Sequence, residues 1–239
     1  MNLSFYSGSV GAGAQQSKLD TIANNIANVN TVGYKSENAG FVDLLYSNIN
    51  APETQDSDLK VGSGVRYEKT DIKFMDGGLI STDNPLDFAI KGDGFFAVMD
   101  PADGEIRYTR DGSFKMSLQE DGEFYLATAK GDLVLSVDEE PIMMTEDQKS
   151  IDLETIGIFD FENKEGFLCV GDNLYVPVDK NGESYLKEDS SAVEKYLELS
   201  NVDLASEMNK LIEAQKAYQM TLRMVKTSEE IEETINNLR

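Results

Sequence analysis

The sequence predicts an α+β chain: N- and C-terminal helices paired into a coiled-coil-like core domain, with a central, mostly antiparallel β domain between them. Three observations predict it. Apolar residues recur at helical spacing at both ends of the 239 residues, short alternating runs broken by Asp-Gly and Asn-Gly fill the middle, and the acidic charge is concentrated in that middle.

The first element is a helix within residues 1–35. Leu19, Ile22, Ile26 and Val29 recur three, four and three apart and lay one apolar stripe along it. Ala23 and Ala27 flank the stripe and allow close approach of a partner helix, while Asn24 and Asn28 sit on the opposite face. The helix is expected to stop near Asn30-Thr31-Val32-Gly33, where Gly33 takes a left-handed cap. Gly8, Gly11 and Gly13 upstream make it intrinsically weak. A linker over 36–65 follows, and its least patterned stretch is Asn50 to Asp58.

The β domain spans 66–195. Asp103-Gly104, Asp111-Gly112, Asp121-Gly122 and Asn181-Gly182 suit tight hairpin turns, so Phe95–Met99, Ile106–Arg110, Phe114–Leu118, Glu123–Ala127 and Leu133–Val137 read as successive strands. Ile156–Phe161 and Leu174–Val178 continue the pattern. Asp100 to Glu105 and Asp179 to Ser184 lack the ligand spacing of a calcium loop and read as turns. Gly62-Ser63-Gly64 and Gly92-Asp93-Gly94 open no helix, so they are not phosphate loops.

The last element, within 196–239, is a longer helix capped by Asn201 or Asp203. Leu204, Met208, Leu211, Gln215, Tyr218, Leu222 and Val225 form a seam at 3.5-residue spacing. Met224, Ile231, Ile235 and Leu238 fall on another side, so this helix needs more than one apolar neighbour.

Charge narrows the function. Net −23 argues against nucleic acid and anionic membrane as partners, and the absence of His removes the commonest general base and metal ligand. Cys169, the single cysteine, sits in Phe167-Leu168-Cys169-Val170 and reads as a small core hydrophobe with no His to activate it. No catalytic constellation, cofactor or metal site is expected. No apolar run reaches the ~20 residues that span a bilayer, and Met1 to Lys18 does not read as a cleavable signal. Residues 1–50 carry net −1 and 200–239 net −2, which leaves −20 for the middle. Near-neutral ends are the parts able to pack against copies of themselves.

Ala23-Asn24-Asn25-Ile26-Ala27-Asn28-Val29-Asn30-Thr31-Val32-Gly33-Tyr34-Lys35 resembles the N-terminal signature of the bacterial flagellar rod and hook proteins. Val61-Gly62-Ser63-Gly64-Val65, the run from Asp83-Asn84-Pro85 to Gly94-Phe95-Phe96, and Tyr108-Thr109-Arg110-Asp111-Gly112-Ser113-Phe114 extend the resemblance. Leu199-Ser200-Asn201-Val202-Asp203-Leu204, Glu213-Ala214-Gln215-Lys216-Ala217-Tyr218 and Thr234-Ile235-Asn236-Asn237-Leu238-Arg239 complete it in family order, and it is closer to the rod subgroup than to the hook protein. The resemblance implies a non-enzymatic subunit that assembles into a hollow helical tube. It implies as partners further copies of itself, other rod subunits, the hook protein and the flagellar type III export apparatus, with no nucleic acid and no membrane insertion. It also implies that the segment Phe41 to Lys60 sets how stiffly neighbours lock, and it leaves distal and proximal rod positions open.

On this reading the assembly residues are Leu19, Ile22, Ile26 and Val29 against one seam of the C-terminal helix (Leu204, Leu211, Tyr218, Leu222, Val225), with Ile231 and Ile235 toward neighbouring subunits. Asn24, Asn25 and Asn28 set register, and Gly33 and Tyr34 close the signature. Glycine-diluted helices are marginal alone, so residues 1–30 and much of 200–239 are expected to be frayed or loosely paired in a free monomer. The competing reading is a monomeric, secreted acidic β protein of adhesin or cap type. A hydrolase using paired carboxylates has no motif in its favour.

Overall fold

Two helices, α1 (Leu3–Ala27) and α2 (Leu204–Asn237), bound the fold in the computed structural model, which describes residues 3–44, 47–48, 60–62, 64–119, 122–145, 151–187 and 189–238. The unpatterned stretch Asn50 to Asp58 lies outside the described residues. α2 starts where extended Asp203 accepts a hydrogen bond from Ala205 N at 3.1 Å, so of the two candidate caps Asp203 is the one used. α1 gives way to a turn at Asn28, and Gly33 has φ +68°. A Cβ at Gly33 would stand 2.5 Å from Asp111 N, so both the left-handed conformation and the close approach require glycine.

The chain divides into two units: residues 1–27, 37–71 and 203–239 make unit 1, and residues 28–36 and 72–202 make unit 2. In unit 1, α1 and α2 pack antiparallel, with Asn25 meeting Glu207 near one end and Gly8 meeting Val225 near the other. β1 (Glu37–Asp43) lies against α1. β2 (Ser47–Asn48) pairs with β3 (Lys60–Val61), and β4 (Val65–Ile72) pairs with β1.

Unit 2 carries the remaining strands. They are β5 (Leu79–Ser81), β6 (Phe88–Lys91), β7 (Phe95–Met99), β8 (Ile106–Thr109), β9 (Lys115–Leu118), β10 (Phe124–Ala127), β11 (Leu133–Val134) and β12 (Met143–Met144). After them come β13 (Ile158–Asp160), β14 (Leu168–Gly171), β15 (Leu174–Val176), β16 (Tyr185–Leu186), β17 (Ser191–Glu194) and β18 (Tyr196–Glu198). Ten form one sheet, in the order β12-β10-β11-β7-β8-β15-β14, with β9 on β10, β13 on β7 and β16 on β13. β17 pairs with β6 and β18 with β5, all antiparallel. The expected strands are present, each trimmed by up to three residues at its ends.

β7 shows why its sequence is an unbroken apolar run. Phe96 and Val98 join Phe114, Leu126, Val134 and Ile158 on one face, whereas Phe95 and Ala97 join Tyr108, Phe159, Phe161, Phe167 and Tyr175 on the other. Both faces of the strand are buried, so alternation vanishes. Edge-to-face ring pairs tighten the second cluster, with Phe161 4.8 Å from Tyr108 and 5.0 Å from Phe167.

Cys169 departs from expectation. It is exposed on β14, whose four residues all face solvent, because β14 ends the sheet and only Phe167 before it turns into the core. An apolar neighbourhood along the chain does not bury an edge strand.

Candidate assembly surface

In α2 the face turned to α1 is the small and polar one. Glu207, Ala214 and Ser228 are its buried residues, seven and fourteen apart, with Leu211, Tyr218, Thr221 and Val225 half-buried between them. The expected seam placed Leu204, Met208, Gln215 and Leu222 there, and all four are exposed; Leu211 and Tyr218 are half-buried, and Val225 lies against Gly8 of α1. The true face is therefore rotated by one residue from the seam of largest side chains. The cause lies in α1, where Gly8, Ala12 and Ala14 are buried: a Cβ at Gly8 would meet Val225 Cγ2 at 3.0 Å, and one at Gly11 would meet Thr221 Cγ2 at 3.7 Å. Where the helices approach this closely, at Gly8 and Gly11, α2 presents Val225 and Thr221 and no Leu.

On α1 itself Ile22 is buried, Leu19 and Ile26 are half-buried, and Asn24 is exposed together with the flanking Ala23 and Ala27. Asn25, only 1% exposed, fixes the register. Its Nδ2 donates to Glu37 O at 2.8 Å and to Glu207 Oε2 at 3.3 Å, and its Oδ1 accepts from Glu37 N at 2.9 Å. One side chain thus binds β1 and α2 to α1 with its polar capacity used, which makes a shift of either partner costly. Glu207 is paired in turn with Lys210 Nζ at 2.5 Å.

The residues left outward on α2 form two stripes. Leu204, Met208, Ile212 and Leu222 lie about 100° to one side of the buried face, and Met220, Met224, Ile231, Ile235 and Leu238 about 100° to the other, on a 3.6-residue helix. Lys216, Arg223 and Thr227 ride the polar ridge between them. Every described residue from Glu229 to Leu238 is exposed, with Ile231 at 49% and Leu238 at 84%.

The rest of the N-terminal signature belongs to unit 2. Val29 is half-buried, Asn28 Oδ1 accepts from Thr31 Oγ1 at 3.1 Å in a local turn, and Tyr34 is buried. Beside Tyr34 lies a buried charge cluster that composition and periodicity did not show. Glu198 Oε1 accepts from Lys35 Nζ at 2.6 Å and from Gly77 N at 2.8 Å, and its Oε2 accepts from Arg110 Nη1 at 3.1 Å. Lys35 also donates to Met75 O at 2.7 Å, and Arg110 Nη2 to Gly92 O at 3.0 Å. Burial pushes the Lys35 ammonium below its ordinary value, and the Glu198 carboxylate offsets part of that. Close by, Gly33 N donates to Glu198 O at 2.8 Å, and Asn201 accepts from Ser36 N at 2.7 Å while donating to Lys73 O at 2.7 Å. The available signal was positional: each ion sits in or beside a quoted motif, but nothing in linear spacing joins residues 35, 110 and 198.

Comparison with known proteins matches three segments of the chain. Residues 5–35 match the family model for the flagella basal body rod protein, residues 89–160 the flagellar hook protein FlgE/F/G D1 domain, and residues 193–238 the flagellar basal body rod FlgEFG protein C-terminal. Lys35, Arg110 and Glu198 each come from a different one of these three segments. The chain is 35% identical to the flagellar basal-body rod protein FlgG of Borreliella burgdorferi, with 96% of each chain covered. It is 32% identical to that of Bacillus subtilis over 99% of this chain and 98% of the relative. To the flagellar basal-body rod protein FlgF of Mesorhizobium japonicum it is 32% identical over 94% and 93%. With such identity over nearly its full length, the chain belongs to the flagellar basal-body rod protein family.

Proposed function

We propose that this structural rod subunit polymerises through its terminal helices into a hollow helical tube that transmits motor torque to the hook and encloses the export channel. One observation carries the reading: α2 buries only Glu207, Ala214 and Ser228 and keeps Leu204, Met208, Ile212, Leu222, Met224, Ile231 and Ile235 exposed. Positions 207, 211, 214, 218, 221, 225 and 228 alternate four and three apart, a coiled-coil-like seam within one chain. The two outward stripes then serve neighbouring copies, other rod subunits and the hook protein. Each aliphatic side chain fully buried there contributes about 1.5–3 kcal/mol, and a few per interface repeated around a tube outweigh the entropy of ordering. Unit 1 is the polymerising part, while unit 2, with −17 of the −23 charge once the −6 of unit 1 is set aside, stays solvated. Export proceeds unfolded through the flagellar type III apparatus.

Substituting Ile231→Asp and Ile26→Asp separately tests the reading. Ile231 is exposed, so its variant is expected to keep the helix signal of the monomer and to lose assembly in sedimentation. Ile26 is half-buried, so its variant loses both. Wild-type assembly in both variants overturns the seam reading, whereas a wild-type chain that stays monomeric favours the adhesin-like role.

A further inference from the structure

The near-neutral charge of α2 conceals two opposed halves. From Ala205 to Ser228 the helix carries Lys210, Lys216, Arg223 and Lys226 against Glu207 and Glu213, and from Glu229 to Leu238 it carries four glutamates and no basic residue. The acidic tip works against the isolated helix. Negative charges at a helix C-terminus oppose the macrodipole at about 0.3–1 kcal/mol each, and like charges three and four apart repel. A rigid helix cannot bend its tip back onto Lys216 or Arg223, and Arg223 has no acidic residue three or four positions away on either side; Lys226, three and four residues before Glu229 and Glu230, is the one cation of the ridge within their reach along the helix. Lys216, Arg223 and Lys226 are exposed, as are Glu229, Glu230 and Glu233, which lie on the side of the tip away from Ile231 and Ile235.

We propose that the acidic tip of α2 in one copy docks on the basic ridge Lys216-Arg223-Lys226 of α2 in a second copy, joining copies head to tail. The inference rests on the tube reading and adds the axial contact to it. Bringing Glu230 beside Arg223 staggers the helices by roughly 10 Å along their axes at 1.5 Å per residue. Docking supplies the tip with the cations that the dipole withholds. It leaves the Ile231 and Ile235 face for another neighbour. With the two helices parallel and staggered, tip and ridge cannot be satisfied reciprocally within one pair, so the contact is heterologous and propagates instead of closing at two copies.

Three full-length variants test it: E229K/E230K/E233K, K216E/R223E/K226E, and the sixfold combination, each assembled alone and the two triples also mixed in equal amounts. All six positions are exposed, so circular dichroism is expected to show wild-type helix in every variant. Either triple alone is expected to need roughly tenfold or more protein to sediment, and the sixfold variant and the mixture to recover, with recovery weakening as salt screens the contact. Triples that assemble like wild type overturn the docking and leave the tube reading standing, provided Ile231→Asp still blocks assembly. A sixfold variant that fails to recover also overturns it, as does a wild-type chain that stops at a dimer or that binds only a different rod subunit.

Discussion

Glu198 holds two buried cations with one carboxylate, and the second negative charge near them, Asp76 at 3.6 Å from Arg110, is more than half exposed. The asymmetry ranks two substitutions. Lys35→Met leaves Glu198 paired with Arg110, a neutral remnant, whereas Glu198→Gln leaves two cations facing each other out of water. Breaking a buried pair costs about 3–5 kcal/mol, so Glu198→Gln is expected in or above that range and Lys35→Met below it, read as urea midpoints; equal losses overturn the ranking. Asp160 supplies the clearest pH dependence. Burial pushes its carboxyl up, but donation from Lys187 at 3.0 Å, from Phe161 N at 2.9 Å and from Lys164 at 3.1 Å outweighs burial and holds it below the ordinary 3.8. Its folded value being the lower one, the unfolded chain binds more protons between the two values. The stabilisation is complete above about pH 4 and is lost as pH falls through the folded value. Asp160→Asn is therefore expected to cost stability at pH 7 and to converge with wild type near pH 2; a gap constant with pH removes the linkage.

At the scale of the helix pair, the glycines of α1 separate close packing from mere flexibility. Gly13 is exposed with nothing within 4 Å of a built Cβ, so Gly13→Ala is expected to stabilise by about 0.5–1 kcal/mol through helix propensity alone. At Gly8 the same gain opposes a 3.0 Å contact with Val225, so Gly8→Ala is expected near neutral and Gly8→Leu destabilising by about 1–3 kcal/mol, followed by the helix band on heating. A Gly8→Leu variant as stable as Gly13→Ala contradicts the close-packed pair. The same glycines explain what the sequence revealed and what it hid. The two helices and the strand runs are legible because periodicity and Asp-Gly turns are local signals, although α1 ends at Ala27, short of the expected stop near Asn30 to Gly33, and Gly33 takes its left-handed conformation beyond the helix. The inward face of α2 lies one residue from the stripe of largest side chains, because the close approach at Gly8 and Gly11 brings Thr221 and Val225 against α1 while Ala214 and Ser228 are buried; periodicity alone does not show which face a small-residue partner selects. The exposure of Cys169 is not legible locally, because chain neighbours do not report that a strand ends its sheet. The ions at 35, 110 and 198 were individually visible in motifs, but only the fold brings them together.

Across the whole molecule, the chain passes between the two units four times, and unit 1 is closed by its last segment. Asn25 reaches Glu207 over 182 residues, so the α1–α2 pair forms only when the C-terminus is present, after a large loop-closure cost has been met. Unit 2, by contrast, is complete by Val202, since Glu198 and Asn201 already lie within it. A chain ending at residue 202 is therefore expected to retain the cooperative unfolding of the β unit with a midpoint close to that of the full chain. It is also expected to lose most helical signal, because α1 carries several glycines and its apolar face has no partner. Such a chain should stay monomeric at concentrations where the full chain sediments. Persistent helix at residues 3–27, or assembly without α2, would show that α1 folds and polymerises on its own. The expected outcome makes the C-terminal helix a requirement of the proposed polymerisation, since without it unit 1 has no completed surface to offer a second copy.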